Sequence, residues 1–118
     1  MIIFILTIVQ MELKDCQHDV IKYFEELETK RGLKPWPRFV VLARLEEELS
    51  EIGRIISVEE GYREKSKVDN MNSVDEFGDA LFELVHLANL SNVDLEESWK
   101  YILKKYSKYL NNSKNIKD

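Results

Sequence analysis

Two stretches of this chain set acidic residues three positions apart inside an otherwise apolar helical pattern: Leu45-Glu46-Glu47-Glu48-Leu49-Ser50-Glu51 and Val74-Asp75-Glu76-Phe77-Gly78-Asp79-Ala80. On a helix that spacing puts both side chains on one side, a turn apart. The chain must therefore accommodate two helices that each carry a carboxylate pair, Glu48 with Glu51 and Glu76 with Asp79. On the first helix, Val41, Leu45, Leu49, Ile52 and Ile56 mark the apolar stripe. Glu48 falls inside it and Glu51 on its rim, whereas Glu46 and Glu47 point elsewhere. On the second, Phe77, Leu81, Leu84, Val85 and Ala88 form the stripe, with Glu76, Asp79 and Glu83 along one flank. Ionised carboxylates are seldom turned toward a core unless something pairs with them or binds there.

Two carboxylates about 5 Å apart repel by roughly 3 kcal/mol at an effective dielectric near 20. Four in one cleft must raise their pKa values or acquire counter-charge. A hard divalent cation supplies it, and an oxygen-only donor set without His or Cys suits Mg²⁺, with Mn²⁺ as a substitute, better than zinc.

The remaining sequence bounds the fold. At 118 residues the chain is long enough for one domain, yet small enough that burying more surface in an oligomer would help. Its net charge of -5 argues against binding a nucleic-acid polymer. The single Cys16 excludes an internal disulfide and fits a reducing cytoplasm. No repeat, glycine-rich phosphate loop, Cys/His zinc pattern or nucleophile elbow is present.

Residues 1–12 open with the apolar run Met1-Ile2-Ile3-Phe4-Ile5-Leu6-Thr7-Ile8-Val9, too short to span a bilayer and without the flanks of a secretory signal. It reads as an arm packing on the bundle or a partner, or as leader before a start at Met11, ahead of any membrane role. From Leu13 to about Arg31, Val20, Ile21, Phe24 and Leu27 define a helix that Gly32 stops. Leu33-Lys34-Pro35-Trp36-Pro37 is a rigid connector. Trp36 fits either a hydrophobic plug between helices or a ring that stacks on a nucleobase. His18 and His86, each without a second His nearby, read as structural. The second helix runs from Pro37 or Arg38 to near Ser57, and a charged connector, Glu59 to Lys67, is long enough to act as a lid. Ser73 with Glu76 forms a candidate capping box, which is the structural alternative for Glu76. Asp94 opens a fourth helix with Trp99, Ile102, Leu103 and Tyr106 on one side and Lys100, Lys104, Lys105 and Lys108 for charge. Residues 111–118 read as a polar tail. The expected architecture is all-α: a four-helix bundle over residues 13–110 whose second and third helices bring their acids together.

The motif Glu47-Glu48-Leu49-Ser50-Glu51, followed after one loop by Glu76-Phe77-Gly78-Asp79, resembles the EExxE…ExxD signature of MazG-like, all-α nucleoside triphosphate pyrophosphohydrolases. Asp79-Ala80-Leu81-Phe82, Leu87-Ala88-Asn89 and Val93-Asp94-Leu95-Glu96-Glu97 extend the similarity, which covers roughly residues 38 to 108. EExxE alone is a weak signal; both halves with the following helix are a strong one.

The resemblance implies a homodimer or homotetramer with its nucleotide pocket near a subunit interface. It also implies hydrolysis of a nucleoside triphosphate at the α-phosphorus to the monophosphate and pyrophosphate. Glu48, Glu51, Glu76 and Asp79 would hold Mg²⁺, and Glu47 would orient or deprotonate the attacking water. Lys105 and Lys108 match basic positions that hold the outer phosphates, but Leu103 stands where the family carries an Asn. Trp36 is a weaker candidate for the base. The alternatives are a phosphoribosyl-ATP pyrophosphatase-like enzyme and a non-catalytic helical dimerisation module.

Overall fold

The computed structural model describes residues 10–66 and 72–112, so the apolar run over residues 1–9, the last residue of the proposed lid and the tail beyond residue 112 lie outside it. Four helices follow in order: α1 Leu13–Arg31, α2 Arg38–Glu59, α3 Ser73–Leu90 and α4 Leu95–Asn111. No strand occurs among the described residues, as the all-α reading requires.

Each boundary has a local cause. Helix α1 begins with a capping box between Glu12 and Asp15, the Glu12 N–H donating to Asp15 Oδ2 at 2.9 Å. It ends where Gly32 adopts φ 65°, a conformation that a Cβ would oppose. The Gly32 N–H then reaches Glu28 O at 3.0 Å, and the Leu33 N–H reaches Leu27 O at 3.3 Å. Pro37 sits just outside α2 as its N-cap, its carbonyl accepting from the Val40 and Val41 N–H groups. Helix α3 is capped by Asn72, whose Oδ1 accepts from the Asp75 N–H at 3.1 Å. The box expected between Ser73 and Glu76 is therefore displaced, because Ser73 lies inside the helix and Asn72 has taken the cap. Asp94 caps α4 by accepting from the Glu96 N–H at 2.9 Å.

Helices α2 and α3 form the most extensive pair; α1 lies chiefly against α3, and α4 against α1. The core is narrow and contains Val20, Val41, Leu45, Ile55, Ala80, Val85 and Ala88. On α2 the inward line runs Val41, Leu45, Glu48, Ile52 and Ile55, the 3–4 spacing of one helix face. The expected stripe is thus rotated, with Leu49 and Ile56 exposed. On α3 the inward positions are Ala80, Glu83, Val85, His86 and Ala88, while Phe77, Leu81 and Leu84 are 57%, 51% and 46% exposed. Both helices have more apolar residues than one face can hold, and the excess forms a second apolar line on the surface. Helix α4 buries no residue: Ile102 is half-buried, but Trp99, Leu103 and Tyr106 of its apolar side are exposed.

A polar latch joins α1, α3 and the entry to α4. Gln17 Nε2 donates to Asn89 Oδ1 and to Val93 O, both at 2.8 Å. Asn89 Nδ2 donates to Gln17 O at 3.0 Å, and Gln17 Oε1 accepts from the Leu95 N–H at 2.9 Å. Every polar end of the two side chains that faces the junction is used, so the latch fixes where α4 starts without an unmet group.

Candidate metal centre

Antiparallel packing of α2 on α3 brings the two halves of the acidic motif together. Glu48, Glu76 and Asp79 each offer a carboxylate oxygen, and these oxygens lie within 4.8 Å of one another. Glu48 and Glu76 are half-buried and Asp79 is exposed, so the cluster sits at the edge of the helix pair and opens to solvent. Because Asn72 supplies the cap, the Glu76 side chain is not needed to open α3.

The electrostatics record the crowding. Burial pushes the Glu48 pKa above the ordinary 4.5; the charges of Asp79, Glu76 and Glu83 add to the rise, and Arg44 partly offsets it. Glu76 is also raised, first by desolvation and then by Asp75, Glu51 and Asp79. Protein cations near the cluster are few: Arg44 pairs with Glu83, and Arg54 Nε approaches Glu51 at 3.9 Å on the same helix.

The expected site residues divide accordingly. Glu48, Glu76 and Asp79 converge. Glu51 stands outside that tightest group, near enough for its charge to act on Glu76, while its carboxylate is shared with Arg54. Glu47 is exposed on α2. Lys105 and Lys108 are exposed on α4, whose main packing is against α1 rather than against the acidic helices. Trp36 is half-buried, edge-on to Phe24 at 6.2 Å between centroids, and Arg44 lies over its ring at 4.6 Å.

Sequence reasoning missed Arg44 and gave Glu83 no role. Glu83 is 6% exposed and accepts from Arg44 Nε at 3.2 Å through Oε1, while its Oε2 is buried without a partner. Its spacing of four from Asp79 and seven from Glu76 places it on the same flank of the helix, but nothing local marks it as the buried partner of an arginine. Arg44 precedes Glu48 by one turn, but its partner lies 39 residues away, which no local pattern reveals. His86 has the structural place expected of it, stacked on Phe24 at 3.8 Å and 17°, with Nδ1 buried and unpartnered. It also lines a separate cleft of about 580 Å³ between α1 and α3, with Val20, Ile21, Phe24 and Asn89, which contains none of the clustered acids.

Three or more oxygens converging without nitrogen or sulfur suit a hard divalent cation. The raised glutamates reflect the crowding of like charge at the cluster. Among the described residues no helix is long and apolar enough to cross a membrane.

Residues 40–112 match the model of the MazG nucleotide pyrophosphohydrolase domain, a span that includes both halves of the acidic motif and α4. The uncharacterized protein YpjD of Bacillus subtilis (strain 168) is 33% identical over 96 residues, covering 80% of this chain and 83% of that protein. A crystal structure of YpjD from Bacillus subtilis superposes with a TM-score of 0.70 at 30% identity, over 92% of this chain and 98% of that one. The convergence of the acids, the helical order and the matched span together place this chain in the MazG nucleotide pyrophosphohydrolase family.

Proposed function

We propose that the chain hydrolyses a nucleoside or deoxynucleoside triphosphate to the monophosphate and pyrophosphate, using Mg²⁺ or Mn²⁺ held by Glu48, Glu76 and Asp79 with Glu51 beside them. The observation that carries this reading is the meeting of three carboxylate oxygens from two helices within 4.8 Å. When bound, the cation would neutralise phosphate charge and make water a better nucleophile at neutral pH. The chain's own residues hold the site in shape. Glu48 and Asp79 approach from different helices, so the α2–α3 packing sets their separation. Glu47, exposed one position before Glu48, orients or deprotonates the attacking water, or supports a ligand from outside.

Lys105 and Lys108 are assigned to the outer phosphates. Their place on α4 means they serve a site on α2–α3 most directly if a second copy brings them there. The exposed apolar line of Phe77, Leu81 and Leu84 beside the acids, together with the bare side of α4, supports a homodimer or homotetramer. A base stacking on the face of Trp36 that Arg44 covers would displace the guanidinium. A cytoplasmic location is consistent with the unpaired, half-buried Cys16.

Incubating the protein with a panel of nucleotides and Mg²⁺, and assaying pyrophosphate against inorganic phosphate, tests the reading. Pyrophosphate with the matching monophosphate is expected. A response confined to phosphoribosyl-ATP assigns the alternative enzyme, and no release from any triphosphate favours the dimerisation module. Sedimentation velocity checks the assembly, with a dimer or tetramer expected.

A further inference from the structure

Helix α3 carries its acids at Glu76, Asp79 and Glu83, spacings of three and four that keep all three on one face. Glu83 lies one turn deeper than Asp79 and is 6% exposed, where an ionised carboxylate needs a reason to remain. Arg44 supplies half of one. Its Nε donates to Oε1 at 3.2 Å, and its guanidinium is seated over the Trp36 ring at 4.6 Å. The other oxygen, Oε2, is buried with no hydrogen-bond partner. A carboxylate kept only for its ion pair would gain by using both oxygens on the guanidinium fork. The charge of Glu83 also reaches Glu48, adding to the same crowding that Asp79 and Glu76 impose. Glu83 is thus anchored by one oxygen, unmet at the other, and electrostatically part of the cluster.

We propose that Glu83 is a positioning carboxylate of the cation site: fixed through Oε1 by Arg44, one turn beyond Asp79 on the same face of α3, it places its buried charge behind the cation that Glu48, Glu76 and Asp79 hold. This rests on the cation-site reading above. Arg44 and Trp36 acquire a role through it: stacking on Trp36 limits how Arg44 moves, and the held Arg44 limits how Glu83 moves. Outer-shell groups that orient a metal's ligands and waters contribute about 10- to 100-fold to metal affinity.

The test is titration of Mn²⁺ alone into the full chain at fixed pH, read by electron paramagnetic resonance, with circular dichroism on the same samples. Glu83→Gln keeps an oxygen for Arg44 Nε while removing the charge. Its Kd for Mn²⁺ is expected to rise about 10- to 100-fold with the helical signal unchanged. Equal affinity in the unaltered chain and Glu83→Gln overturns this inference and leaves the cation site standing; no Mn²⁺ binding by the unaltered chain overturns both. Should Glu83→Gln fail to fold, Glu83→Asp, which retains charge but withdraws the oxygens, carries the same decision: weaker binding supports the role and unchanged affinity rejects it.

Discussion

Helix α3 takes part in two polar clusters that were built on opposite terms. At its C-terminal end, Asn89 and Gln17 close a latch in which each amide group meets a partner between 2.8 and 3.0 Å. Toward its N-terminal half, Glu76 and Asp79 meet Glu48, and one turn further on Glu83 keeps a buried oxygen unmet. Satisfied polar groups stabilise and specify a fold; a frustrated set is tolerated only where something else completes it. The contrast separates the part of the molecule that holds α4 in place from the part proposed to bind a cation.

Substitutions at the two clusters should therefore have opposite signatures, and the largest effect belongs to the acids. Glu48→Gln or Asp79→Asn is expected to lower Mg²⁺-dependent turnover by more than about 100-fold, since even outer partners of metal ligands account for about 10- to 100-fold. The melting temperature of the metal-free Asp79→Asn protein should not fall, because the substitution removes a charge that opposes ionisation of Glu48 and Glu76. A large loss of metal-free stability with turnover retained would reverse the distinction.

The latch comes next. Asn89→Ala leaves the Gln17 amide and backbone carbonyl short of partners at a part-buried junction. Equilibrium urea unfolding should show a loss of about 2 kcal/mol, while the activity of the folded fraction persists. An unaltered unfolding midpoint would mean that the latch holds nothing.

The smallest effect is in pH, and here too the regions run in opposite senses. Burial lowers the His86 pKa below 6.5, against the raising charge of Glu83 and with some help from Arg44. Its contribution to stability is complete above pH 6.5 and is lost as pH falls through the depressed folded value. Glu48 and Glu76 have raised values, so their contribution is complete below 4.5 and is lost as pH rises through those values. Metal-free melts of the unaltered chain, His86→Phe and Asp79→Asn across pH 4 to 8 should show the acid-side loss flattened in the first variant and the alkaline-side loss reduced in the second.

Much of this organisation was legible before any coordinates. The helices followed from periodicity and from stops such as Gly32, because those signals are local. The meeting of Glu48 with Glu76 and Asp79 followed from spacing within each helix and from the resemblance that paired the halves. The rotation of the buried faces was not legible. Val41 and Leu45 on α2 and Val85 and Ala88 on α3 are buried and Glu48 turns inward, as the pattern indicated, but Leu49, Ile56, Phe77, Leu81 and Leu84 are exposed and Glu83 and His86 take inward positions instead. Asn72 outcompeted Ser73 as cap by a single position. The Arg44–Glu83 pair joins residues on different helices, a contact that only the packing of α2 on α3 creates.

The most direct test of the central claim is thermal melting with and without Mn²⁺ for the unaltered chain, Asp79→Asn and Asn89→Ala. Cation at about 100 times its Kd should stabilise a competent site by about 2.7 kcal/mol. The account predicts an upward shift for the unaltered chain and for Asn89→Ala, and little or none for Asp79→Asn. No shift in the unaltered chain, or an equal shift in Asp79→Asn, would contradict it.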